Sequence, residues 1–357
     1  MKKTLSRLRE IPATLADTAI LAPVESLYRF RVPNSYLQLI DHLDPRDPIR
    51  ALVIPDVREL EPLGTLDPTN EAKYTVLPGL QHKFPNTGLL LVTRNCAGYF
   101  RYCFRKRLFQ STSDEVPRSL DSAFQYIAEH PEITNVILSG GDALSLPTPR
   151  LFAILEMICR IESVRVVRIG SKSPAFDPER IIEDKDLLAG LEGLDVYGKQ
   201  FYLMAHFDHP REVTEKASQS IRLLARAGMT CLNQCPLING LNSDAGVLSE
   251  LFEKMAFLGC PQYYVFHCRP TAGNSHFVIP LKQAFEIFER ETRAGSGLSK
   301  TARYCYAHPE AKLQILCLEG DRALVKVLQS HYASATGATF WHNIADSLDS
   351  IKISSIT

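Results

Sequence analysis

Thr87 to Phe109 read TGLLLVTRNCAGYFRYCFRKRLF, an apolar run that passes straight into a loop with two cysteines and a cluster of cations. A run that is apolar at successive positions, not at alternate ones, belongs to a strand buried on both faces, hence to a parallel sheet. Working outward, the same alternation recurs: SLDSAFQYIAEH from Ser119 reads as a helix, NVILSGG from Asn135 as a strand, and Pro149 to Arg160 as a helix. VRVVRIGS from Val164, FYLMAHF from Phe201, TCLNQCPLI from Thr230 and QYYVFH from Gln262 are further strands. Between them EVTEKASQSIRLLARAG has an acidic first turn from Glu212 to Glu215 and a stop at Gly228. Strand starts at 87, 135, 164, 201, 230 and 262 make six βα units, two short of the eightfold barrel, so the expectation is an α/β chain forming a partial, open (βα)6 barrel. Loops after its strands are where chemistry is expected.

This barrel is expected over 81–294. Residues 1–80, rich in Pro and charge with short helical periodicity from Ser35 to Leu43, read as an irregular, partly helical extension. Residues 295–357 read as a separate C-terminal segment of changed character, in which AKLQILCLEGDRALVKVL is a small β-hairpin turning at Glu319-Gly320-Asp321.

Forty basic residues balance 40 acidic ones in 357, and 45% of the chain is hydrophobic. That excludes disorder and a basic nucleic-acid-binding domain. Nine cysteines, an odd and low count, point to reduced thiols and to the cytoplasm. The start, MKKTLSRLREIPATLADTAILAP, breaks any signal-like apolar run with Arg7, Arg9, Glu10 and Pro12, and no run is long enough to span a membrane.

Cys96, position 100 and Cys103 have the spacing CxxxCxxC, in which three thiolates hold a four-iron cluster and leave one iron open. Position 100 is Phe, which has no lone pair, so the loop by itself also reads as one with two unrelated cysteines. With LSGGDALSL, RIGSKSPAFDPERI, AHFDHPREVT, LNQCPLINGLNSD and YYVFHCRPTAGNSHF following in that order, however, the chain resembles the lysine 2,3-aminomutase family of radical S-adenosylmethionine (radical SAM) enzymes from about Val76 to Leu328.

The resemblance implies the partial barrel of the radical SAM type and three cofactors: a 4Fe-4S cluster, S-adenosylmethionine and pyridoxal 5'-phosphate. Family members use a 5'-deoxyadenosyl radical to move an amino group from C2 to C3 of an amino acid. Carried over by residue, Cys96 and Cys103 match cluster ligands and Phe100 stands where the third belongs. Ser139, Gly140, Gly141 and Asp142 match the loop at the methionine end of S-adenosylmethionine, and Ser171, His206 and Gln234 match positions lining its cleft. Each of these also reads as an ordinary polar strand end or tight turn. Arg105 matches the arginine for the substrate carboxylate, a role suited to a planar fork of donors. Lys106 and Arg107 read equally well as a solvated basic face.

Lys312 matches the lysine that holds pyridoxal phosphate, and alone it reads as an exposed residue opening a hairpin. Lys83 and Phe84 stand where an arginine and a tyrosine are usual, and Thr87 replaces a second arginine. Tyr263 and Tyr264 match the aromatic stretch beside the cofactor. Arg269 takes the place of the aspartate that holds the ε-ammonium in lysine-specific members, which disfavours lysine and favours a glutamate-like substrate. The family also implies an electron donor such as flavodoxin or ferredoxin and a homo-oligomer. Two readings follow: an aminomutase, or a cluster-deficient paralogue that keeps the barrel and binds pyridoxal phosphate or another small molecule. The other seven cysteines are expected to be mostly small buried hydrophobes. Cys231 and Cys235, about 13 Å apart on a strand, make no metal pair, and no zinc site is expected after Cys317.

Overall fold

A twelve-stranded sheet organises the molecule, with its strands side by side in sequence order. In the computed structural model, which describes residues 4–110 and 114–356, these are β1 (Thr75–Leu77), β2 (Leu80–Phe84), β3 (Thr87–Thr93), β4 (Asn135–Gly140), β5 (Val166–Ser171) and β6 (Gln200–Ala205). They continue as β7 (Met229–Leu237), β8 (Gln262–His267), β9 (Arg303–Ala307), β10 (Ala311–Glu319), β11 (Arg322–Ser330) and β12 (Thr339–Asn343). All six expected strands are present, and β3 to β9 pair in parallel. Helices join them: α1 (Asp121–Glu129), α2 (Thr148–Cys159), α3 (Lys185–Gly193), α4 (Glu215–Arg226), α5 (Val247–Phe257) and α6 (Leu281–Ala294).

Two expectations change. The C-terminal hairpin, with β10 and β11 paired from Glu319 opposite Arg322, is part of a larger structure. After α6, β9 adds a seventh parallel strand, and β10 to β12 extend the same sheet antiparallel. Periodicity over five residues, RYCYA, is too short to separate such a strand from loop. In the N-terminal extension, the helices are Thr18–Leu27 and Pro48–Val53, and only Asn34–Leu37 falls within the expected stretch.

Alternation sets the two faces of the sheet. Leu80, Leu90, Val136, Leu138, Val167, Ile169, Phe201 and Leu203 are buried under the helices in one cluster. Ile137, Ser139, Arg168, Gly170 and Tyr202 turn the other way and are only half buried. The inner face is therefore apolar in part and polar in part. The sheet curls until its ends meet through side chains: Lys83 Nζ donates to the His308 carbonyl (2.7 Å) and the His331 ring lies 3.2 Å from the Lys83 carbonyl oxygen. No ladder closes it among the described residues. Cys159, Cys231, Cys235, Cys260, Cys268 and Cys305 are buried as expected, whereas Cys317 is exposed. No described helix is long and apolar enough to cross a membrane.

Candidate active site

The loop after β3 packs down, not outward. Cys103 is buried and Cys96 half buried, in one apolar cluster with Leu91, Tyr99, Leu108 and Phe109. Burial pushes both thiols up, which disfavours the thiolate form. The Phe100 ring lies 4.6 Å from that of Tyr102 and 5.1 Å from that of His206. It joins two hydrophobic clusters.

The basic run is not a solvated face. Arg101 forks onto Glu59 (2.8 and 2.7 Å), and Lys106 shares the same carboxylate at 3.3 Å. All three are buried, and burial holds the Lys106 ammonium down at about 8 despite Glu59. Arg107 pairs with Glu71 and Glu115. Each cation thus turns inward to a carboxylate, and Glu59 and Glu71 come from the N-terminal extension.

Arg105 is held in the same way. Its Nε and Nη2 grip Glu71 (2.6 Å at the shortest) and its Nη1 donates to Ser139 Oγ at 2.7 Å. Burial opposes the charge on Glu71, but Arg105 and Arg107 outweigh it and hold its carboxyl at about 2. A carboxylate depressed from 4.5 to about 2 contributes stability that is whole above pH 4.5 and is lost as pH falls through 2. Glu71→Gln is therefore expected to lower stability by roughly 3 kcal/mol at pH 7 and to flatten the acid limb of a urea-melt series between pH 5 and 2. An unchanged acid limb would remove the role given to this pair.

In the SGGD turn, Gly140 has φ 108° and a Cβ on Gly141 would lie 2.2 Å from the Asn95 carbonyl oxygen. The Gly141 and Asp142 amides donate to the carbonyls of Thr93 and Asn95. The glycines thus allow two loops to touch, and these two amides are held within the turn. Asp142 accepts from Ser171 Oγ (2.7 Å) and from the Lys172 amide (2.8 Å), so it pins β5 to β4. His206 Nε2 lies 2.7 Å from Tyr102 Oη and 3.1 Å from Asp208. Behind it Lys172, 3% exposed, contacts Asp208 and Glu212 at 2.7 Å each, and Tyr36 donates to Glu212. Gln234 is half buried, in register with Tyr264.

Lys312 is half buried, and its only partner among the described residues is the face of Tyr264, 4.5 Å from the ring centroid. Burial pushes its ammonium down to about 8, and Arg168 adds to the effect. A register shift in β8 between Gln262 and Tyr264 brings Tyr263 and Tyr264 together, with hydroxyls 2.9 Å apart. Lys83, also near 8 through burial, caps the His308 carbonyl. Arg269 is the clear departure from expectation: it forks onto Asp349 (2.8 and 2.7 Å), donates to the Ala307 and Pro68 carbonyls, and lies over the Tyr306 ring. With a counter-ion of its own it gives no ground for an anionic substrate side chain.

No protein-family model matches the chain. A protein of Aquifex aeolicus described as "Putative L-lysine 2,3-aminomutase" is 44% identical over 313 residues, 87% of this chain and 83% of that one. The L-lysine 2,3-aminomutase of Clostridium subterminale is 35% identical, covering 80% of this chain and 68% of that one. This chain belongs to the lysine 2,3-aminomutase family. The glutamate 2,3-aminomutase of Clostridioides difficile is 32% identical over 83% of this chain and 69% of its own length. These relatives are isomerases by name. Among solved structures, a radical SAM methyltransferase from Sphaerobacter thermophilus matches with TM-score 0.41 at 14% identity, over 64% of this chain and 68% of that one.

Within the family's loop, two thiols and a phenyl ring do not fit a four-iron cluster. No group of three or more His, Cys, Asp or Glu side chains among the described residues is placed to hold a metal. The pyridoxal phosphate side is different, because Lys312 has the burial, the lowered proton affinity and the free ammonium that a carbonyl-capturing lysine needs. Sequence reading missed Glu59, Glu71, Lys172, Asp208, Glu212 and Arg168. AHFDHPREVT carried the signal for two of these, since acids in a loop after a buried strand need buried partners.

Proposed function

We propose that this chain acts on an α-amino acid held through pyridoxal phosphate at Lys312, as a 2,3-aminomutase. The observation that carries this is Lys312 itself, half buried in the sheet against Tyr264, with no acceptor among the described residues and its ammonium pushed down to about 8 by burial. Bound there, pyridoxal phosphate supplies the electron sink for chemistry at the amino acid's α and β carbons. Lys312 gives up a proton to become the nucleophile, and the Tyr264 ring lies beside it. By the family match we read Arg105 as the group for the substrate carboxylate, which would share the donors that Glu71 and Ser139 now hold. Lysine and glutamate both remain substrates to assay, because Arg269 is neutralised by Asp349. We propose further that the architecture is the radical SAM partial barrel, with Ser171, His206 and Gln234 toward the S-adenosylmethionine cleft, and that the protein is cytoplasmic and oligomeric with a flavodoxin or ferredoxin as donor.

Phe100 favours a second reading, in which amino acid and pyridoxal phosphate bind but no radical is made. Anaerobic reconstitution separates the two. Phe100→Cys is expected to take up about four irons per chain and to cleave S-adenosylmethionine, while the wild-type chain takes up far less iron and cleaves little. Formation of a β-amino acid by the wild-type chain at the rate of the variant would reject the second reading.

A further inference from the structure

Register places Gln81 opposite Leu89, Leu89 opposite Ile137, Ile137 opposite Arg168 and Arg168 opposite Tyr202. These residues form one row across the inner face from β2 to β6. Its two strong donors are orphaned: Arg168 Nε and Gln81 Nε2 are sealed from solvent and meet no acceptor. Other inward cations have a resident acceptor, Glu71 for Arg105, Asp349 for Arg269 and the His308 carbonyl for Lys83. Arg168 forms no ion pair with any described residue, although it lies within electrostatic reach of Lys312, Tyr263 and Tyr264. The inner row thus holds one guanidinium and one amide with an orphaned N–H each, and the Lys312 ammonium lies within electrostatic reach. Unpaired buried donors are costly, and unpaired buried charges more so. Such a floor lacks an anion.

We propose that Arg168, helped by Gln81, binds the phosphate of the pyridoxal phosphate captured by Lys312. This rests on the reading of Lys312 given above. A phosphate suits the row better than a carboxylate does: it has three acceptor oxygens to meet donors from separate strands, and a guanidinium matches it with two parallel hydrogen bonds. The substrate carboxylate has Arg105. The arrangement also answers the thin cation supply at the sheet edge, where Lys83 already caps a carbonyl and residue 87 is threonine.

The test compares pyridoxal phosphate with pyridoxal on the full chain, by adduct absorbance and by equilibrium dialysis. Arg168→Gln is expected to weaken pyridoxal phosphate roughly 10- to 100-fold and to leave pyridoxal within about twofold. Arg168→Lys falls between. Inorganic phosphate competes with pyridoxal phosphate in the wild-type chain and not in Arg168→Gln. Without ligand, Arg168→Gln melts at or above the wild-type temperature, because it removes an unpaired cation. Equal weakening of both aldehydes, no weakening of either, or a lowered melting temperature without ligand overturns the assignment. An effect confined to amino acid capture at saturating pyridoxal phosphate also overturns it and moves Arg168 to the substrate carboxylate. Failure of the parent reading looks different: the adduct survives Lys312→Ala.

Discussion

Lys312→Ala is expected to abolish the visible absorbance that pyridoxal phosphate gains on binding, with a loss of affinity of at least about a hundredfold. The residue sits in β10 with its stem in the sheet and its ammonium against Tyr264, and burial takes it from 10.5 to about 8. In the wild-type chain the rate of adduct formation is therefore expected to rise with pH and level off just above 8, where the amine is neutral. An exposed lysine would still be gaining rate at pH 10. A rate that climbs past pH 9 without a plateau would point to an exposed lysine, and an adduct that persists in Lys312→Ala would transfer the role to Lys83, which also lies near 8.

Glu59→Gln is expected to be the most damaging single change to stability, about 3–5 kcal/mol in urea melts. Its side chain is fully buried and neutralises two cations, Arg101 at 2% exposure and Lys106 at 6%. Glutamine keeps the shape and removes the charge, so both cations stay buried with only the Arg29 and Gly273 carbonyls for support. A domain of ordinary stability has about 5–15 kcal/mol to lose. The N-terminal extension would come away from the cysteine loop, and the Phe100 environment would change with it. A loss under 1 kcal/mol would mean that these cations reach solvent.

Periodicity and spacing made much of the fold readable before any coordinates. All six strands from Thr87 to His267, six to nine residues long, follow from largely apolar runs, a pattern that local sequence expresses. Tyr263 and Tyr264 show the limit, because a register shift that depends on the neighbouring strand decides where their rings meet. Ser139, Arg105, Lys312 and Lys83 were legible as chemistry and do lie on or beside the inner face. The partners that give them their properties were not. Glu71 is 34 residues from Arg105, and Asp349 is 80 residues from Arg269, separations at which a sequence carries no signal of pairing.

The sequence by itself determined the order of strands and helices, the parallel sheet, the family, and the one substitution, Phe100, that bears on cluster chemistry. All of these follow from local patterns, since strand periodicity and ligand spacing are properties of a few consecutive residues. Only the tertiary structure decided which charges are spent and which are free. Arg269 looked like a substrate residue and is neutralised by Asp349, while Arg168 looked like one more strand residue and has a buried Nε that meets no acceptor among the described residues. The physical reason is that an ion pair's worth is set by burial and by the counter-charge brought to it, and both arise only when the sheet curls and its two distant ends close around the same interior.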